Sequence, residues 1–207
     1  MKEFWSENSK IISKLLLNQF GATFLGLMVV AAASSAQGQK AWLMLFASCF
    51  AAFFYLFLVY AVVWERGGHD RIKVDGGRAV PKPWSGLWIS LVANIPNFLF
   101  AILVLISDPF KGTYEWAVNM NVIGRALCLL WEGMYAGIVS YFAPNNPLIH
   151  LLYIFPGIFV GTFGYLLGFS NMRLLSIFEL KPPKNQQTGP VSRPNMGDGS
   201  ANTKKKK

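Results

Sequence analysis

Residues 41–64 read AWLMLFASCFAAFFYLFLVYAVVW and contain no charged side chain. As a helix this stretch is about 36 Å long, more than the roughly 30 Å of hydrocarbon in a bilayer. A soluble helix keeps a polar face, and this one has none. Trp42 and Trp64 bracket it, where indole rings favour the headgroup level. The stretch is read as a transmembrane helix.

Similar stretches lie on both sides. Leu15 to Gln39 is uncharged, with an apolar run up to Ala33. Pro83 to Ser107 is uncharged and opens with Trp84 and Trp88. Leu148 to Met172 carries only His150. A fifth stretch is weaker: residues 122–142 are apolar but include Arg125 and Glu132, with Trp116 just before them. A charge at the centre of a membrane helix costs about 2.5–3.5 kcal/mol on an insertion scale. The spans are therefore placed at about 12–35, 41–64, 84–107, 122–142 (weak) and 148–172. The first resembles a signal peptide in its basic start. Its apolar run is too long for one, and Asn18 and Gln19 interrupt it.

The composition agrees. Of 207 residues, 53% are hydrophobic and 14% charged, where a soluble chain has about 25% charged. Two cysteines exclude a disulfide scaffold, and the apolar content excludes a wholly disordered chain. The net charge of +9 is a topology signal, because Lys and Arg are retained in the cytoplasm. Two models compete. With four full crossings and 122–142 re-entrant or interfacial, 16 of the 19 basic residues share one side with a cytoplasmic amino terminus. With five crossings, the basic tail lies opposite the other basic segments. Charge favours the even count.

The fold expected is an all-α polytopic transmembrane bundle of five hydrophobic helices. Its helical membrane domain covers residues 1–180. Residues 65–83 form a charged cytoplasmic loop in which Arg71-Ile72-Lys73-Val74 followed by Asp75-Gly76-Gly77 suggests a small hairpin. Residues 181–207 are proline-rich and end in four lysines, as expected of a disordered basic tail. Gly157, Gly161, Gly164 and Gly168 line one face of the last helix, and Gly133 and Gly137 form a second small-residue pair. The Ala143–Pro147 turn between them suits a hairpin in which these two helices pack on each other.

Polar groups inside a bilayer are costly, so each needs a partner or a function. Asn94-Ile95-Pro96-Asn97 sits mid-span, where Pro96 breaks the helical hydrogen bonding and the two amides share a face. Such broken helices serve transporters as binding sites, or are simply kinks satisfied by their neighbours. Glu132, with Tyr135 one turn on, is a candidate proton carrier or cation ligand, or a partner for an amide such as Asn94. His150 is expected at the interface. Cys49 and Cys128 are read as small buried hydrophobes. His69-Asp70 lacks a third ligand, so no metal site and no cofactor are expected. Hydrolase, metalloprotease and nucleotide motifs are missing, and an enzyme is not expected.

Asn18-Gln19-Phe20-Gly21, Trp64-Glu65 with its charged loop, Asn94-Ile95-Pro96-Asn97 and Glu132-Gly133-Met134-Tyr135 span most of the chain up to Met172. In this order of features the chain resembles small polytopic membrane proteins of Gram-positive bacteria that carry no assigned function. That resemblance implies a membrane bundle and no activity. In size and apolar content the chain is also similar to the substrate-binding membrane subunits of energy-coupling-factor transporters, which have six spans against at most five here. The expectation is a transport-related or accessory membrane subunit; the alternative is a scaffold without a substrate. Its partners are the lipid bilayer and another membrane subunit or a second copy, not nucleic acid.

Overall fold

The computed structural model describes residues 2–35 and 41–172. The tail from 181 to 207 lies outside the described residues. Among these residues the chain is helical throughout: α1 (Lys2–Ser35), α2 (Ala41–Asp75), α3 (Ser85–Ala93), α4 (Ile95–Ser107), α5 (Glu115–Glu132), α6 (Ala136–Phe142), α7 (Leu148–Leu152) and α8 (Ile154–Phe169). Four helical stretches are long and apolar enough to cross a membrane: Phe4–Ser35, Trp42–Asp75, Glu115–Phe142 and Leu148–Phe169. The pair α3 and α4 is a fifth apolar stretch, bent by 51°.

The distribution of side chains is compatible with a lipid surround. Phe20, Phe24, Phe50, Phe53, Phe57 and Phe159 face outward, while Gln19, Asn94, Asn97, Glu132 and His150 are buried. A soluble domain would reverse this arrangement.

α2 is the central post, and α1 and α8 pack along it. α1 runs antiparallel to α2, with Lys14 beside Glu65 at one end and Val30 and Ala33 against Ala47 at the other. α8 runs parallel to α2. Gly157 meets Tyr55, Gly164 meets Tyr60, and Gly168 meets the Trp64 backbone. A methyl group on Gly168 would strike the Trp64 carbonyl oxygen. On α2, Gly67 approaches the backbone of Tyr165 and Phe169 just as closely. Gly161 lies against Ser90 of α3. The amino end of α1 and the carboxyl ends of α2 and α8 therefore lie on one side.

Three expectations are corrected. Residues 65–75 are not part of a hairpin; they continue α2. Arg66–Asp70 (3.0 Å) and Arg71–Asp75 (2.8 Å) pair at i,i+4, which supports helix where a four-residue alternation is too short to make a strand. Gly76-Gly77 closes that helix: Gly77 has φ +67°, and the Gly77 and Arg78 N–H groups donate to the Val74 and Lys73 carbonyls. The second correction concerns the two glycine-bearing helices, which meet at Glu132–His150 and Tyr135–Tyr153 but not through their glycine faces. The α8 stripe is taken up by α2 and α3. Gly133 lies on Leu27 of α1, and Gly137 on Met44 and Ser48 of α2. The small residues of α2 admit these close approaches, and a short connecting turn does not outweigh them. The third concerns α1, whose helix begins ten residues before the expected span.

The kink expected at Pro96 is present. α3 ends at Ala93, Asn94 is non-helical, and Pro96 occupies the first turn of α4, where its missing N–H costs nothing. A second break lies between α5 and α6. The Arg125 Nη1 donates to the Pro144 carbonyl at 3.2 Å, across 19 positions in sequence. A straight helix would separate these residues by about 28 Å. The chain therefore folds back at the 3₁₀ turn Gly133–Tyr135, where Glu132 leaves helical geometry (φ −120°, ψ 20°).

Gly137→Val should drive a side chain into the Met44 backbone and destabilise the fold by about 1–3 kcal/mol or more. Gly21→Ala, which meets open space, should leave melting unchanged. Thermal unfolding of both variants in detergent checks this; equal melting temperatures would contradict the packing described.

Candidate functional site

The turn between α5 and α6 sits against the middle of α1, and its backbone is satisfied by side chains of other helices. Thr23 Oγ1 donates to the Trp131 carbonyl at 2.7 Å, and Gln19 Nε2 reaches the same oxygen at 3.4 Å. The Gly137 N–H, at the start of α6, donates to Ser48 Oγ at 2.6 Å. These bonds replace helix bonds that a reversal of the chain removes.

Two polar clusters lie near this turn. One is closed. Gln19 Nε2 donates to Asn97 Oδ1 (2.7 Å), Asn97 Nδ2 to Asn94 Oδ1 (2.8 Å), and Asn94 Nδ2 to the Ser90 carbonyl (2.8 Å). Asn94 and Asn97, on either side of Pro96, thus form a relay with Gln19 that bonds α1 across the α3–α4 kink. Asn94 does not reach Glu132 as a hydrogen-bond partner; its amide goes to Ser90.

The other cluster is open. Glu132 ends α5, and His150 from α7 faces it with Nδ1 to Oε2 at 3.7 Å, too long for a hydrogen bond. Both residues are buried, 5% and 8% exposed. Among the described residues, both Glu132 carboxylate oxygens, His150 Nδ1 and the hydroxyls of Tyr135 and Tyr153 have no hydrogen-bond partner. Cys128, four residues before Glu132 on the same face of α5, places its sulfur in the group: one donor atom each from Cys128, Glu132 and His150 lies within 4.8 Å of the others. The rings of Tyr135 and Tyr153 stack at 4.7 Å beside it. A cavity of about 200 Å³ between the arms of α5 and α6 is lined by Cys128, Glu132, His150 and Tyr153, with Arg125 and Ser140 farther along the arms. Arg125 is held there by Asp108 (3.2 Å) and by Asn121 (2.8 Å).

Sequence reasoning found Glu132 and Tyr135 but separated them from their partners. His150, expected at the interface, is buried among side chains; the reversal of the chain brings it against Glu132 at the end of α5. Cys128 is buried as expected, yet it faces Glu132 and His150 rather than apolar side chains alone. The spacing of Cys128 and Glu132 on one helical face was the available signal. Nothing in the sequence pointed to Asp108 as the partner of Arg125.

Thr23→Val and Asn97→Leu should each leave a buried group unpaired and destabilise the protein by about 1–3 kcal/mol. Glu132→Gln, at a site with no bond to lose among the described residues, should melt close to wild type when both proteins are treated with a chelator. Melting curves of the three variants in one detergent test this; a larger loss in Glu132→Gln than in Thr23→Val would assign the cluster a role in holding the fold. No protein-family model matches the sequence, and no curated protein or solved structure matches it either.

Proposed function

We propose that this is a multi-pass membrane protein with four full crossings, a cytoplasmic amino terminus, and a re-entrant α5–α6 hairpin that enters from the outer side. In this reading α1, α2, the kinked α3–α4 pair and α7–α8 cross the bilayer. Support comes from the 3.2 Å contact of Arg125 with Pro144 and from the parallel packing of α8 on α2, which puts the ends of α1, α2 and α8 on one side. That side holds most of the basic residues, in line with retention of positive charge in the cytoplasm.

The function supported best is transport-related: binding of a small polar ligand or ion at the tip of the re-entrant hairpin. The observation that carries it is the Glu132–His150 pair, buried, without hydrogen bonds, and lining a cavity. Buried polar groups are normally bonded, and a set left open around a cavity at membrane depth marks a site for something else. The scaffold reading is favoured only by the closed relay of Gln19, Asn97 and Asn94. A catalytic reading needs a base bonded to its nucleophile, and no hydrogen bond joins Cys128 to His150 among the described residues.

Cysteine accessibility in intact cells tests both parts, topology in a Cys49→Ser/Cys128→Ser background and site access in Cys49→Ser alone. A membrane-impermeant maleimide should label Asn145→Cys from outside and Met172→Cys only after permeabilisation. Labelling of Met172→Cys in intact cells would establish five crossings. A small methanethiosulfonate cation added outside should modify native Cys128. A folded protein whose Cys128 resists the reagent from both sides has a sealed core, and the scaffold reading then replaces this one.

A further inference from the structure

We propose that Cys128, Glu132 and His150 bind a divalent transition-metal ion of the zinc class, with a fourth position open to the cavity. The inference rests on the reading of this cluster as a ligand site and names its ligand. Zinc is held by thiolate, imidazole and carboxylate ligands, most often tetrahedrally, and sites of exchange or catalysis keep one position for water or substrate. All three ligand types are present, one each, from two elements: Cys128 and Glu132 four apart on α5, His150 on α7.

The spacing fits an ion better than it fits bonds among the residues. With zinc–ligand bonds of 2.0–2.3 Å, the ligand atoms of a tetrahedral site stand about 3.3–3.6 Å apart. His150 Nδ1 and Glu132 Oε2 are 3.7 Å apart, and all three donors lie within 4.8 Å. The two residues are too far apart to hydrogen-bond and close to the edge length that a shared metal imposes. Burial adds a second reason. A bare pair of charges is costly in a low-dielectric interior. One thiolate and one carboxylate cancel the two charges of the ion, and the histidine ligand is neutral. On binding, the Cys128 thiol proton passes to water and sulfur donates its electron pair to the metal. A thiolate with an imidazole selects zinc, cobalt(II) or similar ions over magnesium and calcium, which take oxygen ligands. The cavity supplies the open position, and Tyr153 lines it with an unbonded hydroxyl. Three ligands from two helices would also tie α7 to α5, so the ion should stabilise the fold.

The test uses the full chain in detergent micelles, purified without a polyhistidine tag, and Co²⁺ as the probe. One Co²⁺ per chain should bind, with a thiolate-to-cobalt charge-transfer band and a rise in melting temperature; Zn²⁺ should displace it and Mg²⁺ should not. Cys128→Ser should abolish the band, and Cys49→Ser should leave it intact. Glu132→Gln and His150→Gln should each weaken binding more than about tenfold, a difference above about 1.4 kcal/mol. Wild-type protein that is folded yet shows no band, or a band that survives in Cys128→Ser, overturns the proposal. Protection separates the two levels. If Cys128 is modified by the thiol reagent and Zn²⁺ does not slow the reaction, the site is accessible and takes another ligand, so only the metal assignment fails. If Cys128 is neither modified nor metal-bound, the ligand-site reading fails with it.

Discussion

Within hydrocarbon there is no water to accept or donate a hydrogen bond, so a chain that turns back there must supply every missing partner itself. On the proposed re-entrant reading, the reversal at Gly133–Tyr135 is subject to this condition. Thr23 and Gln19 of α1 cover the Trp131 carbonyl, and Ser48 of α2 receives the Gly137 N–H. Three polar side chains in the apolar stretches of two helices make an interrupted helix tolerable. The bundle is arranged around them: α1 and α2 form the wall, and α5–α6 inserts its tip where the donors and acceptor lie. Gly26 and Gly133 allow that tip to approach α1, since a side chain on either would collide with Met134 or Leu27.

The same condition distinguishes the two polar clusters. The Gln19–Asn97–Asn94–Ser90 relay closes on itself and costs little to bury. The cluster of Cys128, Glu132 and His150 does not close. Two neighbouring groups of similar polarity, treated in opposite ways by one fold, are difficult to explain by packing alone. A chain that satisfies one carbonyl with two side chains of α1 had the means to satisfy a carboxylate.

Much of the architecture was legible in residue patterns. Charge-free runs of membrane length located the helices, and Pro96 located the kink, because both follow from local chemistry. The one-sided distribution of basic residues pointed to an even number of crossings and a re-entrant fifth segment, and Arg125 beside Pro144 gives that expectation a geometric basis. Three matters were not legible. The alternation Arg71–Val74 suggested a strand, but the i,i+4 charges of Arg66, Asp70, Arg71 and Asp75 carry the helix through. The glycines of α8 marked a close contact without naming α2 as its partner. His150 and Cys128 are 22 residues apart and on different helices, so their meeting depends on the reversal at Gly133, which is a tertiary event.

The parallel seating of α8 on α2 has a consequence for assembly. α2 emerges from the ribosome about one hundred residues before the glycine face that fits it. Until then the groove along Tyr55, Tyr60 and Trp64 is vacant, and α3 has only one of its two flanks. The last helix is thus the closing piece, and its docking completes the bundle late in synthesis. Long-range contacts of this kind form slowly. A nascent chain paused before residue 154 would present a glycine-sized slot to whatever membrane helix lay nearby.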